Sequence, residues 1–166
     1  MPTVESRLAA LDLTLPQPAA AVANYVPYVR AGNLVHVSGQ LSNDASGGIK
    51  GTVGVDVDLD TAKRGARLCG VNLIAHLKAA CDGDLERVVR VVKLGGFVQA
   101  GPDFTDIPQV VNGCSDLMVE VFGDNGRHAR SAVGVYRLPL GFAVEVDAVV
   151  ELEERRDEFK RPDPAS

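Results

Sequence analysis

Lys and Arg nowhere gather beyond short pairs in this 166-residue chain, whose formal net charge is −5 with a pI near 5.1. Neutralising phosphates needs a basic face, so a nucleic-acid-binding role is disfavoured. Cysteine is scarce: Cys69, Cys81 and Cys114 are odd in number and widely spaced, without a Cys-x-x-Cys and without histidine at metal-ligand intervals. They read as small buried hydrophobes in a reducing compartment, not as a metal site or disulfide framework. No apolar run approaches the ~20 residues of a membrane span, and the first residues lack the charged-then-apolar order of a secretory signal. The expected compartment is the cytoplasm.

Motifs of common chemistries are missing too. Neither Gly-x-Ser-x-Gly nor a Cys-His pairing supports nucleophilic catalysis. Gly47, Gly48, Gly51 and Gly54 superficially resemble a phosphate loop, but no Gly-Lys-Ser/Thr follows and Gly-x-Gly-x-x-Gly is absent, so they read as a flexible loop. There is no internal repeat. What is present, 46% hydrophobic and 23% charged residues, is the composition of a single soluble domain with one core.

Within that composition the chain reads as strand, strand, helix, strand, helix, strand, strand, preceded by a short helical candidate capped by Thr3 or Ser6. Strands at 28–29 and 34–41 are split by Ala-Gly-Asn, a hairpin signal. Apolar positions 59, 62, 66, 69, 73, 77 and 80 define an amphipathic helix of about six turns. A β-branched run covers 85–98. A second helix opens at Asp106 with an Asp-x-x-Gln capping box to Gln109, and carries Val110, Cys114, Leu117, Met118, Val121 and Phe122 as its stripe. Two helices suffice to cover one face of one sheet. Val89, Val91 and Phe97 make the other face too apolar for water, which points to oligomerisation through it.

The segment 127–152 reads as a hairpin joined by Leu-Pro-Leu-Gly, and its charges are what need explaining. Glu145 and Asp147 alternate with Val144, Val146 and Ala148, placing both carboxylates on one face. They are either a solvated face or a general acid or base in a cleft. Arg130 is either a surface charge or a bidentate clamp on a carboxylate. With a tight turn, Arg130 lies near Glu151 and roughly 20 Å from Glu145 along the strands, so the two can share a small substrate only across subunits. Gly39 closes the strand beginning at Leu34, where a bend or close backbone approach to a ligand would suit glycine. Tyr25 and Tyr28 precede it. His36 and His76 read as structural, and His128, beside Arg130, is the histidine of interest.

Three blocks taken together, Asn-Tyr-Val-Pro-Tyr-Val-Arg-Ala-Gly-Asn-Leu-Val-His-Val-Ser-Gly-Gln (24–40), Gly-Phe-Val ahead of Phe-Thr-Asp-Ile-Pro-Gln-Val-Val-Asn (96–112), and Ala-Arg-Ser-Ala-Val-Gly-Val followed by Leu-Pro-Leu-Gly and Val-Glu-Val-Asp-Ala (129–148), resemble the RidA (YjgF) family of reactive-intermediate deaminases. The extended N-terminus and the long 43–54 segment look like a bacterial side branch. The resemblance covers about Tyr25 to Leu152. It divides the chain into an N-terminal extension (1–24), a RidA-like domain (25–153) and a charged tail (154–166) expected to be disordered.

This resemblance implies an α+β, chorismate-mutase-like fold with a single mixed sheet and two helices on one face. It also implies a homotrimer with active sites between subunits, and no cofactor or metal. The implied substrate is a small carboxylate-bearing imine or enamine of the 2-aminoacrylate or 2-iminobutanoate type, hydrolysed to a 2-oxo acid and ammonia. By position, Arg130 would pair with the substrate carboxylate and Glu145 would orient or activate water. Tyr25, Gly39 and Asn112 would line the cleft, and the Ala132 backbone would touch ligand where many active members have cysteine. Asp147 would tune Glu145 upward or face solvent, and Glu151 would compete for Arg130. Rival readings are a pathway-specific enamine deaminase of the aminomuconate type, a non-catalytic carboxylate-binding or sensing protein, and the endoribonuclease label attached to the family.

Overall fold

The computed structural model describes residues 1–18 and 24–155. Its helices form where the apolar spacing places them. Helix α2 (Leu59–Ala80) starts at Asp58, whose side chain accepts the Thr61 amide at 2.8 Å, and carries Asp60 in its first turn and Lys78 in its last, both suited to the helix dipole. It buries Ala62, Ala66, Cys69, Leu73 and Leu77, the stripe read from the sequence. Helix α3 (Ile107–Phe122) buries its expected stripe from Val110 to Phe122, but Asp106 makes no side-chain capping bond; Pro108 occupies the first turn, where its missing amide costs nothing. The two helices approach closely at Gly113, where a Cβ would collide with the Lys63 carbonyl.

The short helix expected at the N-terminus forms, and it joins the core, which the expectation of two helices over the sheet did not include. Helix α1 (Val4–Ala10), capped by Thr3, buries Val4 and Leu8 in the core and pairs Glu5 with Lys78 of α2 at 2.8 Å. The Val4 amide also donates to the Glu86 carboxylate.

Strands β1 (Tyr28–Ala31), β2 (Leu34–Leu41), β3 (Val88–Gln99), β4 (Ala129–Val135) and β5 (Val144–Leu152) form one mixed sheet in the order β1-β2-β5-β3-β4. β1 and β2 make the expected hairpin around Gly32, which has φ of 61°. The hairpin expected at the end of the chain is absent. β3 lies between β4 and β5, parallel to the first and antiparallel to the second. The β3–α3–β4 segment is thus a crossover unit, and Leu138 to Gly141 carries the chain from the edge strand across the end of β3. Buried Gln99 pins that crossing by accepting the Leu138 amide and donating to the Gly51 carbonyl. The flexible loop expected at 43–54 is likewise tied down: Asp44 accepts the Ser46 and Gly48 amides, and Asp56 accepts that of Thr52.

The helices cover one sheet face, with Val35, Val37, Leu94, Val144, Val146 and Val150 beneath them. Irregular register between Val88 and Arg90 and between Val91 and Lys93 turns Val91 inward, so it belongs to the core and not to the bare face as its position in the run implied. The uncovered face still carries Val29, Leu34, Val89 and Val133, which are 37–54% exposed. At the C-terminus, Glu153 is held by Arg87 and Arg30. The disorder expected of the tail concerns mainly residues 156–166, which lie outside the described ones.

Candidate functional site

Alternation along the strands decides which charges can meet. Arg130 lies opposite Leu94, a core residue, and so sits on the helix-covered side of β4. There its Nη1 donates to Asn112 Oδ1 at 2.7 Å and to Ser115 Oγ at 3.1 Å, both on α3. Ala132, opposite Gly96, lies one step along the same side. Among the described residues no carboxylate forms an ion pair with Arg130. The competition foreseen from Glu151 does not arise, because β5 is two strands away and Glu151 is on the opposite face, adjoining Arg90 and Leu34 in register.

A polar chain continues behind the arginine. His128 Nδ1 lies 2.6 Å from the Gly126 carbonyl, which only a ring N–H can satisfy. The neutral ring then accepts the Ser115 hydroxyl at Nε2, 2.9 Å away, leaving Ser115 Oγ to accept from Arg130. Burial lowers the His128 pKa and the Arg130 charge adds to that effect, opposed by the Gly126 carbonyl. The arginine is therefore backed by an uncharged support. Ser115 was not picked out from the sequence, since a serine inside a helix carries no motif.

Glu145 occupies the other side of the sheet. It lies opposite Leu41 on β2 and Phe97 on β3, and its flanking residues Val144 and Val146 point into the core. The register of β2 against β5 shifts between Val37 and Gln40, which lays the Gly39 backbone directly on the carboxylate: any Cβ at Gly39 would collide with Glu145 Oε1. Gly95 stands in the same relation to Asp147. Burial raises the Glu145 pKa and the neighbouring Asp147 charge raises it further. Asp147 is also raised by burial, against the Gly95 amide and Lys93, which lower it.

The six residues implied by the resemblance thus fall into two groups. Arg130, Asn112 and Ala132 are together at the β4–α3 edge. Glu145 and Gly39 are together at the β2–β5 bulge, and Gly39 shares with Tyr25 a cavity of about 420 Å³. One copy does not bring the groups together, because Arg130 and Glu145 face opposite sides of the sheet. The distance along a hairpin gave the same conclusion from the sequence, but the operative reason is the face.

Cys69, Cys81 and Cys114 are free and buried, and burial raises their thiol pKa values, to about 11 for Cys81 and about 12 for Cys114. None is a poised nucleophile. Among the described residues, no cluster of three His, Cys, Asp or Glu side chains could hold a metal, and no helix is long and apolar enough to cross a membrane.

Comparison with known proteins agrees with this architecture. Residues 5–152 match the model of the YjgF/chorismate mutase-like family, whose description adds an endoribonuclease assignment. Protein TCP17 of Trypanosoma cruzi is 49% identical over 151 residues, covering 90% of this chain and 94% of that protein. The structure of protein Atu1372 from Agrobacterium tumefaciens, of unknown function, superposes with a TM-score of 0.85 at 48% identity over 90% of this chain and 92% of that one. A protein of Dermatophagoides farinae named 2-iminobutanoate/2-iminopropanoate deaminase is 29% identical, covering 83% of this chain and 91% of its own. The mixed sheet, its helix layer and the match across nearly the whole chain establish that this protein belongs to the YjgF, or RidA, family.

Proposed function

We propose that this protein hydrolyses small imines and enamines of 2-amino acids to 2-oxo acids and ammonia, in clefts where Arg130 of one copy meets Glu145 and Gly39 of another. The observation that carries this reading is the disposition of the two charges: an arginine held by neutral partners on one face, and a carboxylate of raised pKa against a glycine on the other. The deaminase name of the D. farinae relative supports the reaction class.

The chemistry follows from these roles. Arg130 fixes the substrate carboxylate, and its Asn112 and Ser115 bonds hold the guanidinium plane so that one carbon is always presented. An enamine first tautomerises to the imine. Glu145 then accepts a proton from water as the oxygen bonds to the imine carbon and passes it to nitrogen, giving a carbinolamine; the carbinolamine hydroxyl proton next moves through the same carboxylate to nitrogen as the carbonyl forms, the carbon–nitrogen bond breaks and ammonia leaves. A raised carboxylate pKa brings the base nearer to neutrality, where transfer in both directions is effective.

Ammonia and 2-oxo acid release from freshly generated 2-aminoacrylate and 2-iminobutanoate tests this reading. Arg130→Ala should lower kcat/KM by about 10- to 100-fold, the loss of one charge-assisted contact, and Arg130→Lys should not restore it. Glu145→Ala should lower kcat by roughly 10²-fold or more while sparing 2-oxo acid binding. No turnover by wild type, with oxo acid binding that depends on Arg130, would make the protein a carboxylate-binding module instead. That second reading has one specific support, the Ala132 that stands where many active members have cysteine. RNA cleavage is disfavoured by the net charge of −5.

A further inference from the structure

The cavity shared by Tyr25 and Gly39 is larger than a three- or four-carbon imine requires, and two of its features lie away from the proposed reacting groups. Pro16 and Pro18, in the stretch before β1, form part of its wall, and Asn72, Ala75 and His76 of α2 form another part. At about 420 Å³ it falls in the range that accommodates ligands well beyond four carbons.

Its polar groups specify what would fit. His76 is 4% exposed, and its Nδ1 is buried without a hydrogen-bond partner among the described residues. Nδ1 is closed off from the cavity, so the ring nitrogen left to meet an occupant there is Nε2, which makes no hydrogen bond among the described residues. Burial lowers the His76 pKa, so the ring is neutral and offers one donor and one acceptor. Asn72 is oriented by its surroundings: its amide nitrogen donates to the Leu41 carbonyl at 3.2 Å and the Asn43 carbonyl at 2.9 Å. Both its hydrogens are thereby used, and Oδ1 remains an acceptor. Asp44 is the only acidic residue of the described wall, which contains neither Lys nor Arg.

We infer that this cavity is a specificity pocket for the substrate's side chain, selecting 2-imino acids whose side chain ends in a neutral hydrogen-bonding group, with His76 as the determining residue. An amide or hydroxyl end can donate to Asn72 Oδ1 and exchange a hydrogen bond with the His76 ring. A second carboxylate would meet Asp44 and no cation of this wall, so the pocket selects against dicarboxylate enamines. The inference rests on the deaminase reading for the position of the reacting carbon, and on the cavity alone for the selectivity.

The test uses imines generated in situ from glutamine, glutamate and norvaline by an amino-acid oxidase, with the rate of 2-oxo acid release compared at equal concentration. The glutamine-derived imine should exceed its glutamate isostere by about tenfold in kcat/KM, with the apolar norvaline imine between them. His76→Leu should collapse that ratio towards one and His76→Gln should retain it. Equal rates for the isosteres, or a ratio indifferent to His76→Leu, would overturn the pocket while leaving the deaminase reading intact. If wild type hydrolyses no imine, that reading falls and binding decides the pocket. Titration with the amide-ended 2-oxo acid should then shift the His76 ring resonances, whereas its carboxylate isostere should not; silence with both overturns the inference.

Discussion

Glu145 illustrates how a single alternation carries both a cost and a function. Its carboxylate is partly withdrawn from water by Gly39 and repelled by Asp147, so its pKa lies above the ordinary 4.5. A group whose folded pKa is raised binds protons more readily folded than unfolded, so its contribution to stability is present below pH 4.5 and is lost as pH rises through the folded value. Glu145→Gln should therefore raise Tm by roughly 1–3 °C at pH 7 and leave it nearly unchanged at pH 4, as thermal melts at the two pH values will show. Ser115 acts on the opposite face. Ser115→Ala removes one of the two bonds that orient Arg130 and should raise KM about fivefold with kcat little changed, a split that steady-state kinetics resolves. Arg130 and Glu145 were legible in the sequence because a scaffold strand needs no such charges. Ser115, Asn72 and the orphaned His76 were not, because their significance lies in partners 13 to 31 residues away, or in the lack of one.

At the scale of elements, both long helices and the order of the five strands follow from apolar period, since burial of one stripe or one strand face is a local property of the sequence. Strand adjacency is not local. The 127–152 segment reads as a hairpin because two strands flank a turn sequence, yet β3, twelve residues long, hydrogen-bonds on both edges and separates them. Parity within β3 was equally hidden, because its two register shifts interrupt the alternation that assigned Val91 to the bare face. Helix α1 was visible as a helix but not as part of the core. Its Leu8 is 3% exposed, so Leu8→Ala should destabilise the protein by about 2 kcal/mol, at the low end of leucine truncations because a terminal helix can relax. The shift of the urea midpoint measures it, and an unchanged midpoint would mean that α1 docks without contributing to the cooperative unit.

The whole molecule presents an uncovered sheet face on which Val29, Leu34, Val89 and Val133 surround two carboxylates of raised pKa. Water is a poor neighbour for the first set and other copies of the chain are a better one. The proposed trimer would cover this face and complete each site by bringing Arg130 of one copy to Glu145 of the next. That arrangement makes a prediction no single-copy site can satisfy. Arg130→Ala and Glu145→Ala proteins, each strongly impaired alone, should regain activity when unfolded together in equal amounts and refolded. A site works when its arginine comes from a Glu145→Ala copy and its glutamate from an Arg130→Ala copy. Each choice is even, so random assembly should restore roughly one quarter of wild-type activity. A site built within one chain would stay at the impaired level at every mixing ratio, because every chain in the mixture lacks one of the two groups. Activity plotted against the fraction of either variant should peak at equal amounts and fall symmetrically on both sides, which distinguishes shared sites from contamination by active wild-type protein.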